Sequence, residues 1–503
     1  MRILSIDIDS LRPDHLSCYG YHRRTSPNID DVAKRGVRFT NCYASDVPCL
    51  PSRTALFSGR FGIHNGVINH GGVASEPFIE GPARGFRSTL GATNWMTCLR
   101  KLGYRTATIS SFAERHSAWH FYAGFCDVIN PGKSGLDTAD EVSPLAIEWI
   151  ARHGRAENWF CHVNLWDPHT PYRAPDEFVA MFKDEPLPAW YTELVRQTHW
   201  DGCGPHSARE VMGFEVGPAE MEHARHWPKQ PVQIDSMEQA RRLFDGYDAG
   251  VRFADAHVGR ILNAMADLNL LDDAAVIVSA DHGENLGELN IYADHQTADQ
   301  FTARVPLVVR WPGMTAEPRV EKGLTYNLDF AASTIDLLGG EVPANWDGKS
   351  FAPAFRAGGS LGRDHLVLGQ GAWTCQRSVR FDDWLCIKSF HDGYHAFGDV
   401  MLFNLSDDPH EQHDVASENP QVVERAMSKL NAWHDDMMRT SMSGVDPMET
   451  VLGEGGPYHA RGQLPKYLAR LRATDRARWA QLLEARHAET KDPRSELRGC
   501  AQN

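Results

Sequence analysis

Apolar residues fall into short runs, some unbroken and some alternating, separated by stretches rich in Gly, Pro, Asp and His. Ile3-Leu4-Ser5-Ile6-Asp7-Ile8 reads as a buried first strand that ends in acid at Asp9. Gly36 to Tyr43 alternates like a strand, Trp159 to Leu165 is strand-like, and Ala274 to Ala280 is a buried strand. Thr25 to Ala33 has the composition of a capped helix, and Arg53 to Ser58 continues a helix that Gly59 stops. A long amphipathic helix is expected from Ser236 to Leu270, with Tyr247, Val251, Ala254, His257 and Ile261 on one core-facing side. Residues 185–235 show no clean period; rich in Trp, His, Pro and Gly, they are expected to form a lid over the substrate pocket.

The character changes near Leu366. Short strands at Val379–Phe381, Leu385–Lys388 and Met401–Leu405 suggest an antiparallel sheet, followed by a helix from Pro420 to Met437. A charged helix, roughly Lys466 to His487, places Leu468, Leu471, Trp479 and Leu482 near one face, interrupted by Asp475. It reads as a packing arm or a homo-oligomer contact. The division expected is residues 1–365, 366–445 and a helical tail, 446–503.

Length and charge narrow the function. The chain has 503 residues, enough for a large core. A formal charge of −15 argues against a nucleic-acid partner or an extended polysulfated glycan, so a small anionic substrate must be held by local positive charge. Met1-Arg2 runs straight into the first strand with no leader pattern, and no apolar run reaches membrane-span length. The ten Cys are scattered, and a reduced cytoplasmic location is the simplest expectation.

Candidate chemistry centres on Cys49-Leu50-Pro51-Ser52-Arg53. The Cys lies at a strand-to-helix junction, beside the free N–H groups of a helix start, a natural anion site. A small Cys buried beside a helix cap is the plainer reading. Asp9 stands at the carboxyl end of the first strand, where open α/β sheets bind ligands, and is a metal-ligand candidate.

This pentapeptide resembles the C-x-P-S-R signature of the sulfatases. Four further segments extend the resemblance over residues 1–440. Asp9-Ser10-Leu11-Arg12-Pro13-Asp14 resembles the opening D-D-x-R-x-D, with Ser10 in place of the second acid. Gly103-Tyr104-Arg105-Thr106-Ala107 keeps the first half of G-Y-x-T-A-x-x-G-K-W-H, but Ser111 and Ala113 stand where the family has Lys and His. Pro168-His169-Thr170-Pro171 resembles P-H-x-P, and Ser279-Ala280-Asp281-His282-Gly283-Glu284 resembles S-D-H-G-E.

The resemblance implies an alkaline-phosphatase-like α/β/α sandwich with a smaller C-terminal subdomain built on an antiparallel sheet. It implies that Cys49 is oxidised by a formylglycine-generating enzyme to formylglycine, whose hydrate attacks sulfur and then collapses to expel sulfate. Asp9, Cys49, Asp281 and His282 would hold one divalent metal. Calcium is the ion expected, with Mn2+, Fe2+ or Zn2+ left open by the imidazole donor. Arg53 would hold the nucleophile or the sulfate oxygens. His169, and His295 in place of a family Lys, would contact sulfate or protonate the leaving alcohol. Asp7 is expected to face away. Arg115-His116, or the aromatic run Trp119–Tyr122, would fill the space left at Ser111 and Ala113. Asn69 matches a substrate-contacting Asn of the related phosphonate monoester hydrolases, with turn chemistry as its alternative. The expected reaction is hydrolysis of a small sulfate ester. The rival is phosphonate monoester or phosphodiester hydrolysis on the same scaffold.

Overall fold

Ile3, Leu4, Ile6 and Ile8 are wholly buried, as are Val163, Leu165, Val276 and Val278. Runs apolar on both sides need cover on both faces, which a parallel sheet between helical layers supplies. The computed structural model describes residues 1–81, 88–315, 317–357 and 362–488. Its strands, in chain order, are β1 (Arg2–Ile8), β2 (Val37–Tyr43), β3 (Asp46–Val47), β4 (Arg105–Ile109), β5 (Asp127–Ile129), β6 (Trp159–Leu165), β7 (Ala274–Ser279), β8 (Asn285–Leu286), β9 (Tyr292–Asp294), β10 (Arg304–Arg310), β11 (Arg319–Glu321), β12 (Thr325–Tyr326), β13 (His365–Gln370), β14 (Cys375–Phe381), β15 (Trp384–His391) and β16 (Val400–Asn404).

The large sheet runs β11-β2-β10-β7-β1-β6-β4-β5, with β12 also on β2. β1 lies parallel between β6 and β7, so the ends of three strands open onto one edge. Only β10 runs antiparallel to its neighbours. The helices that matter here are α1 (Pro27–Ala33), α2 (Cys49–Ser58), α3 (Ala139–His153), α4 (Met237–Asp267), α5 (Asn327–Leu337), α6 (Pro420–Thr440), α7 (Pro447–Gly453), α8 (Leu464–Ala473) and α9 (Ala477–His487). α4 packs on α3 and α1 in one helical layer, and α2 packs on α5 in the other. The long helix starts where the sequence predicts, with the Ser236 side chain accepting from Gln239 N–H.

The smaller sheet runs β16-β15-β14-β13-β3. Its first four strands pair antiparallel, and α6 packs on β14. The sequence signals three of these strands. The remaining edge, β3, comes from residues 46–47 and pairs parallel with β13. The expected tail helix is two helices, α8 and α9, broken where Asp475 takes a positive φ of 59°. Tyr467, Leu471, Ala480 and Leu483 are buried against Cys203, Phe214 and Tyr394, so the tail packs on the 185–235 segment of its own chain. Residues 489–503, including Cys500, lie outside the described residues. Among the described residues no helix is long and apolar enough to cross a membrane, and nine cysteines are free.

Phe244 is wholly buried on α4 in the main core. Phe244→Ala is expected to lower the unfolding free energy by about 3–5 kcal/mol, read from the urea midpoint at unchanged slope.

Candidate active site

α2 begins at Cys49, with Pro48 as its N-cap and Pro51 inside the first turn, where a missing N–H costs nothing. Gly59 ends it in the left-handed region at φ 68°, a conformation that suits glycine. One turn after the thiol, Arg53 enters the carboxyl ends of β1 and β7. Its Nε donates to Asp7 Oδ2 at 2.8 Å, and its Nη1 donates to Asp9 Oδ2 at 3.0 Å and Asp281 Oδ2 at 2.6 Å. All four side chains are buried. Asp7 therefore does not face away: residues 7 and 9 lie two apart on one strand and share a face. Ser10 Oγ donates to Asp9, and Ser52 Oγ donates to the Asp281 carbonyl.

Burial pushes the Asp9 carboxyl upward, but Arg53, His169 and His282 together outweigh it and hold Asp9 well below the usual carboxylate range. Asp281 goes the other way: burial, reinforced by the Asp9 charge and opposed by Arg53, raises it to about 7. Burial and both carboxylates push the Cys49 thiol well up.

A divalent cation fits this donor set. Ligating atoms of Cys49, Asp281 and His282 all lie within 4.8 Å of one another. His282 Nδ1 donates to the Gly283 carbonyl at 2.7 Å, which leaves a lone pair on Nε2. That Nε2 is buried, has no hydrogen-bond partner among the described residues, and lies 3.4 Å from Asp281 Oδ2 and 3.9 Å from Asp9 Oδ1. A buried lone pair facing two carboxylates suits a metal ligand.

Above this group opens a cavity of about 590 Å3 bordered by Cys49, four imidazoles from the first 295 residues, and Arg115, Trp373, Tyr458 and His459. A larger cavity of about 790 Å3, between Trp346, Arg363 and Trp433, holds none of the groups described above. Cys49 Sγ lies 3.2 Å from His116 Nε2 and 3.5 Å from His70 Nε2. His116 follows Ala113 by three positions on one short helix, so its imidazole reaches the side that Ala113 leaves open. Ser111 is tied into the scaffold, bonded to Asp137 and accepting from Trp166 Nε1.

His169 and His295 stand opposite, their rings 5.7 Å apart, and His295 lies 4.3 Å from His282. His169 Nδ1 donates to the Thr170 carbonyl at 2.6 Å, so Nε2 carries the lone pair. Burial lowers His169 to about 4. Asp294 accepts from His295 N–H at 2.7 Å, and its other oxygen pairs with His206 Nε2 at 3.0 Å. His206 is the point where the 185–235 segment reaches the wall of the site.

Asn69 is buried and is not among the residues bordering the cavity. Its Oδ1 accepts from His70 N–H at 2.8 Å and Tyr458 N–H at 3.4 Å. The sequence reading missed His70 and the tail residues Tyr458 and His459. Only Gly71-Gly72 hinted at them: a Cβ on Gly71 would stand 2.3 Å from the Tyr458 ring, and one on Gly72 2.1 Å from Glu454. The tail lies directly on this loop, and Glu454 also accepts from Val73 N–H.

A buried cysteine at a helix start, with acids and an imidazole at the ends of parallel strands, sits on the fold of the alkaline-phosphatase-like hydrolases. Residues 3–340 match the sulfatase family model, and residues 287–436 match the model of the N-sulphoglucosamine sulphohydrolase C-terminal region. The chain belongs to the sulfatase family, whose reaction is sulfuric-ester hydrolysis. It is similar to the choline-sulfatase of Rhizobium meliloti, 25% identical over 466 residues, which cover 82% of each chain. A solved structure in complex with its substrate D-glucosamine-2-N,6-O-disulfate superposes with a TM-score of 0.67 at 20% identity, covering 89% of this chain and 99% of that one. The phosphonate monoester hydrolase of Agrobacterium radiobacter shares the fold at a TM-score of 0.62 and 19% identity, covering 90% and 97%.

Arg53→Met would leave three buried carboxylates without their shared cation. The metal-free variant is expected to lose about 3–5 kcal/mol of stability in denaturant titrations after chelation. An unchanged midpoint would mean that Asp7, Asp9 and Asp281 do not depend on Arg53.

Proposed function

We propose that the protein hydrolyses the sulfate monoester of a small alcohol, with residue 49 working as formylglycine and one divalent cation held by Asp9, Asp281, His282 and residue 49. The observation that carries this reading is Cys49 at the first position of α2, on the cavity floor, one turn before an Arg that is bonded to both Asp9 and Asp281. The hydrated aldehyde supplies a hydroxyl for covalent attack on sulfur and a second hydroxyl whose loss of a proton frees the sulfate. The cation supplies Lewis-acid polarisation of a sulfuryl oxygen. Calcium is the ion proposed, and the His282 donor admits Mn2+, Fe2+ or Zn2+.

The side chains divide the remaining work. Arg53 Nη2 is buried with no partner among the described residues, and it is the donor assigned to the developing negative charge. His116 and His70 flank residue 49 and are placed to accept its proton. His169 and His295 face the leaving-group side. His169 Nε2 carries a lone pair, so it must gain a proton before it can give one to the departing oxygen. Asn69 is assigned to holding the His70 loop and the tail together.

Phosphonate monoester hydrolysis is the second reading. It is favoured by Ser10 at the position of the second acid, which leaves one anionic ligand fewer around the cation. Rates on an aryl sulfate and an aryl phosphonate ester separate the two; the sulfate is expected to be turned over faster. Mass spectrometry of the residue-49 peptide, from a host with the maturing oxidase, is expected to show the exchange of sulfur for oxygen and capture by hydroxylamine. Cys49→Ala is expected to lower the rate on the order of 10^4-fold or more. Full activity in that variant would overturn the proposal.

A further inference from the structure

Cys49 belongs to a second group of ligating atoms besides the one it shares with Asp281 and His282. Its Sγ and the Nε2 atoms of His70 and His116 all lie within 4.8 Å of one another. The two S···N separations are 3.5 Å to His70 and 3.2 Å to His116. A tetrahedral zinc with Zn–S about 2.3 Å and Zn–N about 2.0 Å sets sulfur and nitrogen about 3.5 Å apart. The thiol and the imidazoles thus stand near coordination distances as the chain folds.

The surroundings orient these rings as ligands. His70 Nδ1 lies 2.9 Å from His459 Nε2, an outer partner of the sort that fixes a ligating imidazole. His459 is itself fixed: its ring stacks on Trp373 at 4.1 Å and 18°, and its N–H donates to the Ala372 carbonyl at 3.0 Å. The His116 ring packs on Phe112 at 5.2 Å and on His70 at 4.9 Å. The same three residues border the cavity, which leaves room for a solvent ligand. In the competing set, Arg53 already occupies one oxygen each of Asp9 and Asp281. Sulfur with two imidazoles is also the softer set, matched to zinc rather than to calcium.

We propose that the chain with an unoxidised thiol at residue 49 binds a thiophilic divalent cation, zinc foremost, through Cys49 Sγ, His70 Nε2 and His116 Nε2. The thiol proton leaves to solvent as the Zn–S bond forms, and nothing is oxidised or reduced. The site does not depend on the formylglycine reading, because conversion of residue 49 removes the sulfur and with it the site. An ion held there covers the thiol and blocks the cavity floor, so unconverted protein would be a closed, metal-loaded form.

The test uses the full chain made without the maturing oxidase, with a thiol at residue 49 confirmed by mass. Zinc-edge X-ray absorption of the zinc-loaded protein is expected to show one sulfur at about 2.3 Å and two imidazole nitrogens at about 2.0 Å. A shell without sulfur, or one with a single imidazole and carboxylate oxygens, overturns the proposal. Cobalt(II) serves as a second probe through its sulfur-to-metal charge-transfer band. His70→Gln and His116→Gln are expected to abolish that band or weaken cobalt binding at least about 100-fold, and His459→Ala to weaken it about 10-fold. Asp281→Asn should leave the charge-transfer band unchanged. A band lost in Asp281→Asn and kept in both His variants assigns the thiolate to the other set and refutes the site. The absorption measurement on unmutated protein stands even if a variant fails to fold.

Discussion

A single guanidinium holds three carboxylates at the open edge of the large sheet. Burying one ion costs several kcal/mol, and a buried cluster persists only when each charge finds partners. Arg53 meets Asp7, Asp9 and Asp281 through two of its nitrogens. It thereby fixes α2 to the ends of β1 and β7 and sets the direction in which residue 49 points. The cluster remains short of positive charge. Asp281, raised to about 7, shows how strongly the pocket resists a third negative group. A divalent cation facing the lone pair of His282, as proposed above, would supply the missing charge, so the demands of folding and of metal binding would coincide here.

Around this cluster stand several imidazoles. Burial lowers His70, His116, His169, His295 and His459, so each is neutral at pH 7 and can accept a proton or a hydrogen bond. Among the described residues, positive charge near the cavity then comes from Arg53 beneath the floor and Arg115 at the border, to which the proposed cation would add. An anion entering here is recognised mainly by directed hydrogen bonds and by those localised charges. This agrees with a net-negative protein that must still attract a small anionic ester.

How much of this could be read in the sequence depended on chain distance. Cys49 with Arg53, and Asp281 with His282, are pairs close in the chain, each inside a short segment that resembles a sulfatase signature. Asp9 was legible because a strand's carboxyl end is a fixed place in an α/β sheet. Asp7 was misplaced although period-two alternation puts it on the face of Asp9. His459 was missed for a different reason: its partner His70 lies 389 residues away, and the segment between carries no pattern that predicts their meeting. Asp475 was seen as an interruption of a helix, but its positive φ turns the chain and makes two helices of one.

The strand β3 joins two distant parts of the chain in a way that bears on timing. Asp46 pairs with Gly369 and Val47 with Gln370, and Cys49 follows two residues after that pairing. The strand leading into α2 therefore has no sheet partner until the ribosome has passed residue 370. Long-range pairing of this sort is reached late in folding, since the intervening loop must close first. Throughout synthesis of most of the protein, the thiol sits on a segment without its final anchor. β13, made before the other three strands it joins in the smaller sheet, is the one that pairs with β3.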